Sequence, residues 1–193
     1  KWQHTAQHVS TIDEDVFSDG IMFDGSSIAG WKAINESDMI LMPDASTAVM
    51  DPFSAKPQMI LFCDIVEPST GQMYSRDPRS TAVKAEQYLK STGIGDTAFM
   101  GPEAEFFIFD DVRFSVAMNK VSFQVDGVDA AWNSDREFEG GNTGHRPGIK
   151  GGYFPVPPLD HYADLRDRIC LVLDEVGLEV ERSHHEVGTA GQA

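Results

Sequence analysis

The pattern of apolar residues changes near residue 77, and this change most constrains the fold. Before it, the chain indicates short strands separated by turns. Asp77-Pro78 then supplies a helix N-cap followed by proline at the first helical position. Apolar residues recur at helical spacing after it, which predicts a helix over 78–91. The change also predicts two domains, with bounds at 1–76 and 77–193.

Three strands are predicted in the first domain. Turn dipeptides of the Asp-Gly type flank the apolar residues 21–23. Residues 40–42 form a second apolar run, which is predicted to stop at Pro43. Residues 58–66 give the clearest pattern of a buried strand. The first domain is therefore expected to be rich in β-structure.

The second domain mixes strands with a helix. Residues 97–110 and 178–187 are strand candidates, and 121–128 indicate a loop followed by a strand. A helix is predicted ahead of Gly177, where apolar residues recur at helical spacing behind a proline-rich segment. Its charged residues, Arg166 among them, are expected to face solvent. Because helices and strands do not alternate strictly, the sequence predicts an α+β fold with antiparallel sheet.

The net charge of the chain limits the kinds of molecule that it can bind. The chain carries 15 Lys and Arg against 31 Asp and Glu, a formal net charge of −16. So acidic a chain does not suit nucleic acid or an anionic membrane surface, and divalent cations are the partners that it attracts most readily. Cys63 and Cys170 stand far apart in apolar surroundings, which predicts buried free thiols. The sequence shows no signal-like or membrane-spanning run, and a cytoplasmic location is expected.

The sharpest chemical feature is a pair of glutamates, Glu103 and Glu105, at the start of an aromatic run. Side chains alternate across a strand, so both carboxylates point to one face, roughly 6.5–7 Å apart. Carboxylates among aromatic residues are costly to desolvate unless a cation lies against them, and oxygen ligands suit Mg²⁺ or Mn²⁺. The spacing would let the two carboxylates bind different ions. The pattern is equally compatible with an edge strand whose carboxylates face water.

A second candidate is His184-His185-Glu186, with Glu181 upstream of it. A carboxylate near two imidazoles at a strand end could complete a set of metal ligands, although the spacing is not that of the HExxH zinc motif. In a regular strand Glu181 and Glu186 would lie on opposite faces. They share a site only where the strand bulges or ends. Surface or hydrogen-bonded histidines are the alternative interpretation.

Two loops complete the candidate features. Asp24 stands ahead of two serines, in a loop that either presents it to a polar partner or forms an Asx-type turn. The glycine-rich segment 139–152 carries His145, Arg146 and Lys150, a cluster of positive charge that would suit a polyphosphate or another charged substrate. This segment matches neither the GxxxxGK[ST] nor the GxGxxG pattern.

Taken in order along the chain, these features resemble the N-terminal part of the type I glutamine synthetases of bacteria. The resemblance extends across essentially all 193 residues. It is carried by MFDGSSIAGW (22–31), NESDM (35–39), GPEAEFF (101–107), KGGYFPVPP (150–158) and HHEVGTAGQ (184–192). One such segment would only suggest the family, whereas five in family order are very specific.

The resemblance implies ATP-dependent ligation of ammonia to the γ-carboxylate of glutamate, through a γ-glutamyl phosphate. Phosphoryl transfer needs cations at the phosphate oxygens, and the family implies two or more Mg²⁺ or Mn²⁺ ions in each site. Carried over by position, Glu105 and Glu186 would bind the metal nearest glutamate and ammonia. Glu103 would bind the metal associated with the nucleotide phosphates.

Further roles follow from the same resemblance. Glu181 would contact the nucleotide, and Gly101 and Tyr153 would lie close to that pocket. Asp24, with Ser27 beside it, would reach into the site of a neighbouring subunit. There its carboxylate would hold ammonium and accept its proton, which is a general-base role.

The implied architecture is a β-grasp-like N-terminal domain followed by part of an antiparallel-sheet catalytic domain, in a homo-oligomer of two stacked hexameric rings. The family pattern continues with an asparagine and a further metal-binding glutamate where this sequence has Ala193. The sequence is therefore interpreted as a fragment, with further ligands expected beyond it. Two alternatives stay open at this point, a γ-glutamyl ligase that uses another amine and a non-catalytic homologue on the same fold.

Overall fold

The computed structural model describes residues 2–132 and 146–193. The chain divides into two compact units, residues 1–100 and 101–193. Each unit contains an antiparallel sheet, alongside helices. The α+β class with antiparallel pairing is therefore confirmed. No helix within the described ranges is long and apolar enough to cross a membrane.

A four-stranded antiparallel sheet organises the N-terminal unit, with neighbouring strands in chain order. Its strands are β1 (Ile21–Asp24), β2 (Asp38–Met50), β3 (Met59–Glu67) and β4 (Gln72–Met73). The strands predicted at 21–23 and 58–66 are confirmed by β1 and β3. The short helical elements are α1 (Glu14–Ser18) and the 3-10 turns Val9–Thr11, Gly25–Ser27 and Ile34–Glu36.

Pro43 does not end the second strand, so that prediction is wrong. β2 continues through Pro43, which pairs with Cys63 of β3. The pairing of β1 with β2 ends at Leu41, and one edge of β2 is therefore unpaired at the proline. A residue without an N–H group is tolerated at such an edge.

Cys63 and Cys170 are free thiols, as expected, but they are half-buried rather than buried.

The core of the N-terminal unit holds the loop after β1 against the sheet. Its buried residues are Met39, Ile65 and Tyr74, with Phe23, Trp31 and Leu41 packed against them. The Tyr74 hydroxyl donates to the Trp31 carbonyl at 2.8 Å, which satisfies the polar end of a buried ring. This cluster anchors both ends of the loop that contains Asp24.

The helix predicted at 78–91 is confirmed as α2 (Pro78–Thr92). Asp77 accepts a hydrogen bond from the Ser80 N–H at 3.0 Å, as an N-cap aspartate does. Gly93, with φ of 70°, ends the helix in the left-handed conformation that favours glycine. Both ends of this helix are therefore set by signals in its own sequence.

Among its described residues, the C-terminal unit has one hairpin and one long helix. Strands β5 (Asp111–Ala117) and β6 (Lys120–Asp126) pair antiparallel, and α3 spans Ala163–Glu175. The strand predicted within 121–128 and the second helix are confirmed. Arg166 is 7% exposed and forms an ion pair with Asp160, in the segment that leads into α3. The prediction that Arg166 faces solvent is therefore wrong.

Two predicted strands, 97–110 and 178–187, do not form in the described chain. A strand requires a continuous ladder of backbone hydrogen bonds with a partner. Residues 106–108 instead share three backbone hydrogen bonds with Gly191 and Ala193, around an isolated bridge. The apolar pattern of a segment does not show whether another segment of matching length will pair with it as a strand.

Candidate metal centre

Three glutamate side chains converge in the C-terminal unit. Glu103, Glu105 and Glu186 each offer a carboxylate oxygen, and these oxygens lie within 4.8 Å of one another. Glu103 and Glu105 are exposed and Glu186 is half-buried. Carboxylates this close repel one another unless a cation offsets their charge, and oxygen is the ligand that Mg²⁺ and Mn²⁺ prefer. The donor set therefore fits a hard divalent cation.

Backbone pairing joins the two segments that carry these glutamates. Phe106, directly after Glu105, exchanges two N–H···O bonds of 2.8 Å with Ala193. The Ile108 N–H donates to the Gly191 carbonyl at 3.1 Å. These bonds fix the register of the aromatic segment against the turn that follows Glu186. The convergence of the carboxylates is a consequence of that register.

The Gln192 side chain connects the turn after Glu186 to Glu105. Its amide nitrogen donates to Glu105 Oε2 at 3.1 Å, and its amide oxygen accepts the Gly188 N–H at 2.7 Å. The Gln192 carbonyl accepts the Glu186 N–H at 2.9 Å. Sequence reasoning assigned no role to Gln192. The available signal was an amide, able both to donate and to accept, directly after the glutamate motif.

Two contacts orient the Glu186 carboxylate. Its Oε2 accepts the Val187 N–H at 3.0 Å. Its Oε1 lies 3.6 Å from Nε2 of His184, whose ring stands edge-on to Tyr153 and Phe154 at centroid distances of 5.6 and 4.5 Å. The aromatic pair limits the positions that the His184 ring can take beside the carboxylate.

Gly152 lies where the proline-rich segment approaches the glutamate turn. A Cβ atom there would stand 2.4 Å from the Gly188 carbonyl oxygen and 2.6 Å from that of Glu186. The Gly152 N–H donates to the Val187 carbonyl at 3.3 Å. Glycine is therefore required by close backbone approach, and a larger residue would push the two segments apart.

The residues expected near the nucleotide occupy different surroundings. Tyr153 stacks on Phe154, with ring centroids 4.0 Å apart, and meets the edge of His184. Gly101 is exposed, and none of the residues that the structure describes comes within 4 Å of the position that a Cβ would take there. Glu181 is exposed and is not a member of the three-carboxylate cluster. Their nucleotide roles stay predictions.

Asp24 and Ser27, the residues expected to act on ammonium, lie in the N-terminal unit and are exposed. Asp24 Oδ1 accepts from the Ser26 hydroxyl at 2.6 Å and the Ser26 N–H at 2.9 Å. Its Oδ2 accepts from the Ser27 hydroxyl at 3.2 Å. The Ser26 hydroxyl, followed by its N–H, lowers the pKa of Asp24, because both stabilise the carboxylate. The loop is thus an Asx-type turn that leaves a charged group at the surface.

The predicted positive loop lies partly outside the described residues. Residues 139–145, His145 included, are among those not described. Arg146 is 7% exposed and donates to the carbonyls of Ala130 and Trp132 at 3.1 and 3.2 Å. Lys150 is exposed. The expectation of displayed positive charge is therefore wrong for Arg146, which binds backbone carbonyls inside the unit.

Two family models match the chain. The glutamine synthetase beta-Grasp domain matches residues 1–68, and the glutamine synthetase catalytic domain matches residues 75–193. The chain therefore belongs to the glutamine synthetase family. The β-grasp domain and the catalytic domain implied by the resemblance are confirmed. The boundary at 76/77 stays a prediction, since the structural units divide after Met100.

Curated relatives bear the name glutamine synthetase. The protein of Azospirillum brasilense is 64% identical over 190 residues, covering 98% of this chain and 41% of its own length. That of Methylococcus capsulatus (strain ATCC 33009 / NCIMB 11132 / Bath) is 64% identical over 192 residues, covering 100% and 41%. That of Escherichia coli (strain K12) is 57% identical over 192 residues, with the same coverage. The chain thus spans 41% of the length of these relatives.

A solved structure of a glutamine synthetase has a fold similar to that of this chain. The glutamine synthetase of Plasmodium falciparum, determined by cryoEM, has a TM-score of 0.82 and 27% sequence identity to this chain. The match covers 96% of this chain and 36% of that one.

Proposed function

We propose that the complete protein containing this chain ligates ammonia to the γ-carboxylate of glutamate in an ATP-dependent reaction, through a γ-glutamyl phosphate. The observation that carries this proposal is the convergence of the Glu103, Glu105 and Glu186 carboxylates within 4.8 Å. Phosphorylating a carboxylate brings several negative charges together, and cation-binding carboxylates meet that need. The name shared by the curated relatives supports the same reaction.

The three glutamates are proposed to hold two or more Mg²⁺ or Mn²⁺ ions, together with ligands from the rest of the protein. Glu105 and Glu186 would bind the ion nearest glutamate and ammonia, and Glu103 the ion nearest the nucleotide phosphates. When bound, such ions offset the charge that develops on the phosphate oxygens. The Gln192 amide on Glu105 and the Val187 N–H on Glu186 support this assignment, because they orient two of the carboxylates in advance.

ATP is proposed to bind next to Glu181, Gly101 and Tyr153. The position of Tyr153 supports this placement, since its ring meets His184 edge-on at 5.6 Å and His184 in turn lies beside Glu186. An exposed aromatic face near the candidate cation ligands suits the base or ribose of a nucleotide whose phosphates lie on the ions.

Asp24, with Ser27 beside it, is proposed to hold ammonium and to accept a proton from it. The carboxylate of Asp24, whose pKa the Ser26 hydroxyl lowers, is negative at neutral pH and attracts the cation. Ammonia then attacks the γ-carbonyl carbon, the C–N bond forms, the C–O bond to phosphate breaks, and the departing phosphate takes a second proton from the nitrogen. We place this carboxylate in the site of a neighbouring subunit, within a dodecamer of two hexameric rings. The cytoplasmic location stays a prediction.

An assay of the complete protein tests the reaction. With ATP, glutamate and ammonium together, we expect glutamine and inorganic phosphate in equal amounts. Omitting either glutamate or ammonium should abolish glutamine formation. Ethylamine and putrescine serve as competing amines in parallel reactions. Ligation of one of these amines without ligation of ammonium would contradict the proposed substrate.

A further inference from the structure

Asp129 and His185 form a buried polar pair for which the proposed reaction has no assigned use. The His185 side chain is 0% exposed and that of Asp129 is 4% exposed, with Nε2 and Oδ2 3.7 Å apart. Neither atom has a hydrogen-bond partner among the residues that the structure describes. At this separation the two groups are in contact without a hydrogen bond. Burying two such groups is unfavourable, and their presence calls for a reason.

The other nitrogen of His185 meets the backbone of a candidate metal ligand. Nδ1 lies 2.7 Å from the Glu186 carbonyl oxygen. A carbonyl only accepts, so Nδ1 carries the hydrogen and donates it. The ring therefore extends from the Asp129 carboxylate on one side to the Glu186 peptide on the other. The orientation of that peptide limits the direction in which the Glu186 side chain leaves the backbone.

The backbone of Asp129 holds the same turn at a second point. Its carbonyl accepts the Ala190 N–H at 3.1 Å and the Thr189 hydroxyl at 3.2 Å. The Thr189 hydroxyl oxygen also accepts the Ala131 N–H at 2.9 Å. The turn after Glu186 is thus attached to the chain that follows β6 by its main chain as well as through the imidazole.

We propose that Asp129 and His185 are positioning residues for the Glu186 carboxylate. Asp129 holds the imidazole, and the imidazole Nδ1–H holds the Glu186 peptide. This inference rests on the proposed metal role of Glu186 and adds that residues behind the ligands set the affinity of the site. Loss of such supporting residues typically lowers metal affinity about 10–100-fold.

Two variants of His185 separate the two contacts of its ring. In His185→Asn the amide nitrogen falls close to the position of Nδ1 and can still donate to the Glu186 carbonyl. In His185→Gln the longer side chain extends toward Asp129 and that donor is lost. Mn²⁺ affinity of the metal-free complete protein is read from the electron paramagnetic resonance signal of unbound Mn²⁺. We expect the affinity to fall about 100-fold for His185→Gln, which loses the donor to the Glu186 carbonyl, and about tenfold for His185→Asn, which loses only the contact with Asp129. Equal affinities in the two variants would overturn the inference.

Asp129→Leu tests the other member of the pair, and an approximately tenfold lower Mn²⁺ affinity is expected. Asp77→Ala is the matched control, because it removes a carboxylate that is 6% exposed in the N-terminal unit. This control should lower the unfolding temperature and leave Mn²⁺ affinity unchanged. If Asp129→Leu shows no cooperative unfolding transition, the two His185 variants decide the question.

The same measurements distinguish this inference from the proposed reaction. A parent protein that binds Mn²⁺ but makes no glutamine would overturn the reaction, while reduced affinity in His185→Gln would still support the positioning role. A parent that makes glutamine, with parental Mn²⁺ affinity in both His185→Gln and Asp129→Leu, would overturn the positioning role and leave the reaction supported.

Discussion

At the scale of single residues, serine hydroxyls lower the pKa of two aspartates in the N-terminal unit. Asp24 and Asp44 each precede by two positions a serine that donates through its hydroxyl, at 2.6 Å in both cases. The serine hydroxyl is the largest cause of the lowered pKa at each aspartate. Asp44 also pairs with Arg79, whereas Asp24 is held by serines. A carboxylate kept negative by neutral donors remains available to an external cation.

Replacing Ser26 should therefore change the ionisation of Asp24. Ser26→Ala removes the strongest donor to the carboxylate, so the pKa of Asp24 should rise toward its ordinary value. With a higher pKa, Asp24 becomes protonated at a higher pH, and ammonium binding should weaken earlier on acidification. Carboxyl ¹³C NMR of aspartate-labelled protein measures the pKa. Ser46→Ala is the control and should raise the pKa of Asp44 alone. An unchanged pKa of Asp24 in Ser26→Ala would contradict the role given to the Ser26 hydroxyl.

The close backbone approach at Gly152 leads to a second prediction for a single residue. In Gly152→Ala the new Cβ would stand 2.4 Å from the Gly188 carbonyl oxygen, so the backbone must shift. Overpacking of this kind costs about 1–3 kcal/mol, and we expect a lower unfolding temperature together with weaker Mn²⁺ binding. Gly148→Ala is the control, because no atom of the described residues lies within 4 Å of its Cβ position. Equal unfolding temperatures of the two variants, measured by calorimetry, would contradict the close approach of Gly152 to the Gly188 carbonyl.

At the scale of elements, a helix with signals in its own sequence was predicted well, whereas two predicted strands without a partner of matching length did not form in the part of the chain that the structure describes. α2 carries its own N-cap at Asp77 and its own stop at Gly93, so its bounds follow from nearby residues. Residues 97–110 and 178–187 have strand-like patterns, but a strand also requires a partner of matching length. Pro43 shows the same limitation, because its tolerance depends on where β1 stops pairing. Helix caps and stops can be predicted from nearby residues, whereas the positions at which strands stop pairing cannot.

The N-cap of α2 gives a prediction for this element. Asp77→Ala removes the acceptor for the Ser80 N–H and hydroxyl, at 3.0 and 3.2 Å. Loss of such a cap costs about 1 kcal/mol, so amides in the first turn should exchange roughly fivefold faster. Hydrogen exchange followed by mass spectrometry measures this. Asp13→Ala, which uncaps α1, should leave α2 unaffected, and unchanged exchange in Asp77→Ala would contradict the capping role.

At the scale of the whole molecule, the sequence motifs identified the acidic residues of the candidate centre but not the residues that position them. Glu103 and Glu105 stand out because two carboxylates precede an aromatic run. Gln192, Asp129 and His185 act through contacts that only the folded chain provides. An amide, an aspartate or a histidine has many ordinary uses, so its residue type alone does not indicate a positioning role.

The candidate metal centre is tested by removing one carboxylate. Glu105→Ala should lower Mn²⁺ affinity at least about tenfold, because a charged ligand and its link to Gln192 are both lost. Equilibrium dialysis of the complete protein against Mn²⁺ provides the measurement. Glu179→Ala is the matched control, an exposed glutamate outside the cluster. Equal affinities in the two variants would remove Glu105 from the site.

Mixing two inactive variants tests whether sites are shared between subunits. Chains with Asp24→Ala retain Glu103, and chains with Glu103→Ala retain Asp24. If Asp24 acts in the site of a neighbouring subunit, mixed assemblies should recover part of the glutamine synthesis that neither variant shows alone. Verified mixed assemblies without any recovery would place both residues in one subunit. Assemblies formed from each variant separately are the control.

The pairing of residues 106–108 with the turn after Glu186 has a consequence for how the protein matures. Three backbone hydrogen bonds close a long loop of chain, and bringing such distant segments together is a slow step of folding. Glu186 remains apart from Glu103 and Glu105 until that closure has happened. Tight uptake of a divalent ion would then report that a newly made chain has finished folding, and the ion would in turn hold the loop shut.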